Sequence, residues 1–435
     1  TDHLGVLAEQ DKITSVGPSF GMGAGIRVFR SGRDGFVSTN DLSDQGLEEA
    51  LHQALAMLQL NASTLASPSS FDGLGPLRDY GSSKNTWLDS TPDLVTITQR
   101  LLEGTHCLQK RGQHLDVRRG SFARDWQEVL VAASDGTFAR DIRLHQSSGL
   151  SVLAADGEHR SSIARRYGSS DRPDDLCHWN VDASAQEVCD SAAKMLRADY
   201  VDGGQMPVVL ANRFGGVIFH EACGHLLETT QVERGSTPFA DSIGESIAHS
   251  AVTAIDEGVS GGAFGSISMD DEGMEPQRTV LIENGILQCF LSDRAGEMRT
   301  GHARTGSGRR QSHGFAAASR MRNTYIDAGP HSIDDLISSV DHGLYCKSMG
   351  AGSVGATGQF NFSVEEGYLI KNGQLGQPVK GATLIGDAKE VMPRISMCAD
   401  DLELAAGYCG SVSGSVFVTV GQPHVKVDSI TVGGR

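Results

Sequence analysis

A chain of 435 residues, 39% hydrophobic and 21% charged, can fill more than one core, so two domains or one large α+β body are expected. Its 37 Lys and Arg against 54 Asp and Glu give a formal charge of −17. The arginine pairs Arg118-Arg119, Arg165-Arg166 and Arg309-Arg310 stand alone, which disfavours a nucleic-acid backbone as partner. No apolar run approaches the ~20 residues of a membrane span, and no basic-then-apolar signal pattern opens the sequence. Eight scattered cysteines without a CxxC pair fit a reducing, cytoplasmic setting better than a disulfide framework.

In chain order, GAGIRVFRSGRDGFVSTN (23–40) reads as two strands around the turn Gly32-Arg33-Asp34-Gly35. Leu47, Ala50, Leu51, Ala54, Leu55 and Leu58 then recur at helical spacing behind a cap at Ser43 or Asp44. A second helix follows Pro92, with Leu94, Ile97, Leu101 and Leu108 on one side. Residues 113–157 form a meander with Asp-Gly turns. Residues 183–198 form a helix whose stripe is Ala185, Val188, Cys189, Ala192 and Leu196. MPVVLAN (206–212) is a short buried strand.

Beyond it the chain turns strand-rich and glycine-rich. LIENGIL (281–287) and LIKNGQL (369–375) each predict an Asn-Gly hairpin of type I′. A short helix falls near 331–341, and the last 25 residues are strand-like. These patterns predict an α+β chain divided near residue 200. An N-terminal mixed helix and sheet domain covers 1–199, and a mostly β domain covers 200–435.

The entrance of the second domain carries GVIFHEACGHLLETT (216–230), with His220, Glu221 and His225. In the four-spaced H-E-x-x-H motif both histidines share a helix face. At about 100° per residue, five steps leave the two imidazoles roughly 140° apart. One ion can join them only if the helix bends there or widens to i→i+5 bonding, a distortion found mostly at functional sites. Two core histidines fit the pattern as well. If a metal is held, a third ligand is required. Cys223, His249, His302, His313, Cys409 and His424 are the candidates. Small neighbours in AAGYCGSVSG let a backbone approach a site at Cys409, while Glu221 suits the role of base.

Several stretches together resemble one family, the TldD/PmbA proteins, and its TldD branch in particular. They are HEACGH (220–225), DDEG (270–273), VLIENGIL (280–287), TGSGRRQS (305–312), RMRNTYI (320–326), KGATLIGD (380–387), GYCG (407–410) and VGQPHVKVDSITVGG (420–434), with GIRVFRSGRDGFVST in the first half. The resemblance implies zinc-dependent hydrolysis of short or unfolded peptides. It implies Zn2+ on His220, His225 and Cys409, with Glu221 as catalytic base. It also implies a two-subunit assembly, in which a PmbA-type partner lacks the motif. Arg309 and Arg310 match the family and are expected either to serve the substrate, at a carboxylate or an oxyanion, or to be structural ion-pair residues. The segment LLETTQVERGSTPFADS (226–242) departs from the family's glycine-rich continuation. That departure leaves open a hydrolase dedicated to one amide or C–N bond of a peptide-derived metabolite. A non-enzymatic partner is the third reading, which loss of Glu221 or of a ligand would favour; none is lost.

Overall fold

Two-residue turns with both residues left-handed set the first strand pairs. The computed structural model describes residues 1–60, 73–355 and 358–434. β1 (Asp2–Glu9) and β2 (Lys12–Phe20) meet at Gln10-Asp11, with φ of 51° and 62°. β3 (Ala24–Arg30) and β4 (Arg33–Thr39) meet at Ser31-Gly32, with φ of 50° and 76°. The expected turn at Gly32–Gly35 is therefore displaced towards the N-terminus. A type I′ hairpin needs two left-handed residues. Asp34 instead lies in β4, where its carboxylate accepts from Arg27 Nε at 2.8 Å.

Three helices in this half carry side-chain caps. Ser43 caps α1 (Asp44–Met57), Asp93 caps α2 (Leu94–Arg111) and Asn180 caps α3 (Val181–Arg197). Between the last two run the long strands β5 (Leu115–Ala132), β6 (Phe138–Asp156) and β7 (His159–Ser170). The sheet order is β2-β1-β5-β6, with β7 also paired to β6. Ile97, Leu101 and Leu108 of α2 and Ala185, Val188 and Ala192 of α3 close one core against Val6, Phe122 and Leu150 of the sheet. The β3-β4 hairpin leaves this core. It reaches the second half through Arg27, whose Nη1 donates to the Ala317 carbonyl at 2.7 Å.

The remaining chain builds two more large sheets, besides a two-stranded one of Gly308–Arg309 and Ala318–Ser319. Its principal strands are β8 (Gly204–Leu210), β9 (Ala254–Glu257), β10 (Arg278–Glu283), β11 (Ile286–Leu287), β12 (Asn323–Ile326), β13 (His342–Val354), β14 (Gln359–Lys371), β15 (Gln374–Lys380), β16 (Thr383–Asp387), β17 (Glu403–Ser411), β18 (Gly414–Gln422) and β19 (Val425–Gly433). Strands β13-β8-β19-β16-β14 pair in sequence, and β14 returns to β13, so these five close a ring. The other sheet runs β11-β10-β9-β12-β18-β17, with β17 at its edge. Asn284-Gly285 and Asn372-Gly373 are both left-handed, at φ 48° and 84° and at 50° and 71°, as the two Asn-Gly signals predict. They lie in different sheets, so shared turn chemistry accounts for the near-copies. A second core, including Val208, Ile218, Phe219, Phe290, Leu344, Phe362 and Val427, begins at Val201. Among the described residues no helix is long and apolar enough to cross a membrane.

An ion pair with both side chains fully buried ties the second sheet to the loop before β12. Arg322 Nε lies 2.6 Å from Asp256 Oδ1. The Arg322 backbone N–H and the Thr324 hydroxyl both donate to Asp256 Oδ2. Arg322 Nη1 spends its hydrogens on the Thr305 and Gly306 carbonyls. Asp256→Ala leaves that guanidinium buried without its carboxylate. The expected loss is about 3–5 kcal/mol of unfolding free energy, read from denaturant midpoints. A loss under about 1 kcal/mol would put the pair with exposed ion pairs instead.

Candidate metal centre

The helix bearing the motif is short because its surroundings grip it at both ends. A 3-10 turn, Arg213–Gly216, leads into α4 (Val217–Ala222). Gly216 lies so near β18 that an added Cβ would be 2.5 Å from the Gly421 backbone. Val217, Ile218 and Phe219 are buried in the second core. The α-helix ends at Cys223, where φ −125° and ψ −44° leave helical geometry. A 3-10 turn, Gly224–Leu227, follows, with Leu226 N–H donating to the Cys223 carbonyl at 2.9 Å. Of the two distortions that five-residue spacing allows, the chain uses a bend. Gly224 supports it with space and not with a left-handed φ, for a Cβ there would lie 2.4 Å from Met321 Sδ.

The bend brings three ligand atoms together. His220 Nε2 and His225 Nε2 each lie 3.2 Å from Cys409 Sγ, and the three lie within 4.8 Å of one another. The two rings stand at 83° with centroids 5.0 Å apart. His220 is 2% exposed and Cys409 3%. Glu221 Oε2 lies 3.8 Å from His225 Nε2, on a side chain that keeps 25% of its exposure. The carboxylate thus reaches the cluster from its wetter side.

Electrostatics favour the ligating form of the thiol. Burial raises the Cys409 pKa, but the charges of His225 and His220 and their hydrogen bonds outweigh it and hold the thiol well below its ordinary range. Burial opposes a charge on His225 too, yet Glu228 and Cys409 raise its pKa well above the usual value. Two imidazoles and a thiolate are a donor set that suits zinc. A tetrahedral ion with ordinary zinc bond lengths holds N and S about 3.6 Å apart. The 3.2 Å separations therefore need to open by only a few tenths of an ångström.

The other third-ligand candidates are employed elsewhere. Cys223 is buried, and burial pushes its thiol up to about 12. His249 accepts from Ala251 N–H, His302 packs on Phe290 and His313 lies 3.3 Å from the Asn40 amide. His424 is held between Asp401, at 2.6 Å, and the Tyr345 hydroxyl, at 3.0 Å. Arg309 is buried, and Nη1 donates to the Met321 carbonyl at 2.8 Å. That position fits a structural residue and not a fork for substrate. Arg310 keeps a partly exposed side chain, and its backbone N–H donates to Asp271.

Two residues near the cluster carry no signal in a search for ligands. Arg320, fully buried in the matched RMRNTYI stretch, donates Nη2 to the Cys409 carbonyl and Nη1 to Ser413 Oγ and the Gly414 carbonyl. It thereby fixes the β17-β18 hairpin, whose strand β17 carries the thiol. Glu228, three residues after His225, is fully buried with Oε2 3.2 Å from His225 Nδ1. A cavity of about 720 Å³ is lined in part by Ala211–Gly215, which leads into α4, and by Ala405–Tyr408, which precedes Cys409, though His220, Glu221, His225 and Cys409 themselves do not line it.

The chain matches three family profiles in order: PmbA/TldA metallopeptidase domain 1 over residues 1–58, the central domain over 92–196 and the C-terminal domain over 203–434. It is 36% identical over 425 residues to a metalloprotease TldD homolog of Haemophilus influenzae, covering 95% of this chain and 86% of that one. It is 33% identical over 417 residues to a zinc metalloprotease TldD homolog of Saccharolobus solfataricus, covering 95% and 90%. The fold superposes on TldE from Thermococcus kodakarensis with a TM-score of 0.76 at 19% identity, covering 100% of this chain and 95% of that one. With its motif stretches, three profiles and near full-length relatives in agreement, the chain belongs to the TldD/PmbA family of metallopeptidases.

Proposed function

We propose that this chain hydrolyses amide bonds of short or unfolded peptides with a zinc ion, as the metal-bearing subunit of an assembly with a PmbA/TldE-type partner. The observation that carries the reading is the convergence of His220, His225 and Cys409 with Glu221 at the more open side. When bound, zinc supplies Lewis acidity towards water and the scissile carbonyl. Glu221 takes the proton of the attacking water and returns it to the leaving amine. Cys409 donates more charge than a carboxylate ligand does, which favours slow, selective turnover. Zinc also appears in the name of the Saccharolobus solfataricus relative.

Substrate class is read from the cavity. Successive strand residues point to opposite faces. Four consecutive residues of β17, Ala405–Tyr408, all line the cavity, so it borders the strand's edge. An edge offers backbone donors and acceptors to an extended peptide with little regard for side chains. That suits peptides and excludes folded proteins. Arg310 is the arginine of its pair left to meet a substrate carboxylate. Likeness to TldE supports the partner only at the level of fold.

Glu221→Gln is expected to retain zinc and lose about 10²–10⁴-fold in turnover of any cleaved peptide. Wild-type rates in that variant would remove Glu221 as the base. Cys409→Ser is expected to lose most of its zinc on dialysis against a chelator that leaves the wild type loaded. Equal retention, measured by metal analysis, would move the third ligand elsewhere.

A further inference from the structure

We infer that Glu228 is a positioning residue for the metal centre: its carboxylate, beside His225 Nδ1, favours the tautomer with the proton kept on Nδ1 and so presents the Nε2 lone pair to the ion. This rests on the metal reading above. The geometry comes from the bend. In a 3-10 turn residues i and i+3 eclipse. The switch from α to 3-10 after Cys223 therefore stacks Glu228 over His225 while turning His225 Nε2 towards Cys409. Glu228 Oε2 ends 3.2 Å from His225 Nδ1.

The carboxylate has no other evident purpose. It is fully buried, and neither oxygen has a hydrogen-bond partner of good geometry. Among the described residues no Lys or Arg lies within ion-pair distance of it. A buried carboxylate without a partner is costly. Its backbone is held in place: Leu291 N–H donates to the Leu227 carbonyl and Thr229 N–H to the Leu291 carbonyl, both at 2.8 Å. Ligating histidines commonly donate their second nitrogen to a carboxylate, which fixes the tautomer and strengthens the ligand. A dipositive ion, the Cys409 thiolate and the Glu228 carboxylate also sum to zero charge. The motif thus extends to H-E-x-x-x-H-x-x-E, with the first glutamate towards the substrate and the second behind the ligand.

The test is zinc competition titration of the full chain as wild type, Glu228→Gln and Glu228→Met, with ¹⁵N-histidine NMR of each zinc-loaded form. Glu228→Met is expected to bind zinc about 10–100-fold more weakly, and Glu228→Gln, which keeps an acceptor, to recover part of that loss. The His225 Nδ1–H resonance should be sharp and downfield in wild type and shift or broaden in both variants. A purely structural role would leave this resonance and the zinc affinity unmoved. Zinc affinity within twofold of wild type in folded Glu228→Met would overturn the inference. If that variant does not fold, an unchanged Nδ1 resonance and affinity in Glu228→Gln overturn it equally. A wild type that binds no zinc at all sinks the metal reading itself, which separates the two failures.

Discussion

Everything at the candidate centre depends on the interruption of one helix at Cys223. Continued as an α-helix, the segment would hold His220 and His225 roughly 140° apart, too far round to share a ligand. The bend is imposed from outside. Gly216 seats the helix against Gly421, the apolar face of α4 is buried in the second core, and Gly224 lets Met321 approach where any larger residue would block it. The 3-10 turn then sets His225 towards Cys409 and Glu228 behind His225. Helix packing thus does what the four-residue spacing of the familiar motif does by periodicity alone.

The same region concentrates buried charge, and two of these charges are largely met by local groups. Asp256 is saturated by Arg322 and Thr324. Arg320 has no carboxylate within ion-pair distance among the described residues, and its two Nη groups donate to the carbonyls and hydroxyl around the β17-β18 hairpin. The two imidazoles around the thiol favour a thiolate at Cys409. Rigid placement of the candidate ligands would reduce the ordering cost of binding an ion. The price is a segment in which single substitutions are felt at once by packing, charge and the proposed site.

Most of the fold was legible where periodicity is strong. The stripes of α1, α2 and α3, apart from the exposed Leu51 and Leu94, the Ser43 cap and the two Asn-Gly hairpins follow from residue type and spacing. The β3-β4 turn was misplaced because Gly-Arg-Asp-Gly has turn composition, whereas Asp34 is recruited by Arg27 into the strand. β2 leaves no such signal, since it is exposed along nearly its whole length and shows no alternation of apolar and polar residues. Closure of five strands into a ring joins segments more than 200 residues apart, which no local pattern records. At the site, composition ranked Cys409 among six candidates without choosing it. Of the six, Cys409 is the one whose sulfur lies 3.2 Å from both imidazoles, which supports the proposed ligand set. Glu228 escaped notice because a glutamate on a helical segment looks solvated until its burial is known.

The central claim is one zinc ion bound by His220, His225 and Cys409. X-ray absorption at the zinc edge of the loaded protein tests it most directly. The expected first shell holds one sulfur at about 2.3 Å and two imidazole nitrogens at about 2.0–2.1 Å, with the remaining position filled by a light atom. A shell of nitrogen and oxygen alone, or two sulfurs, would contradict it.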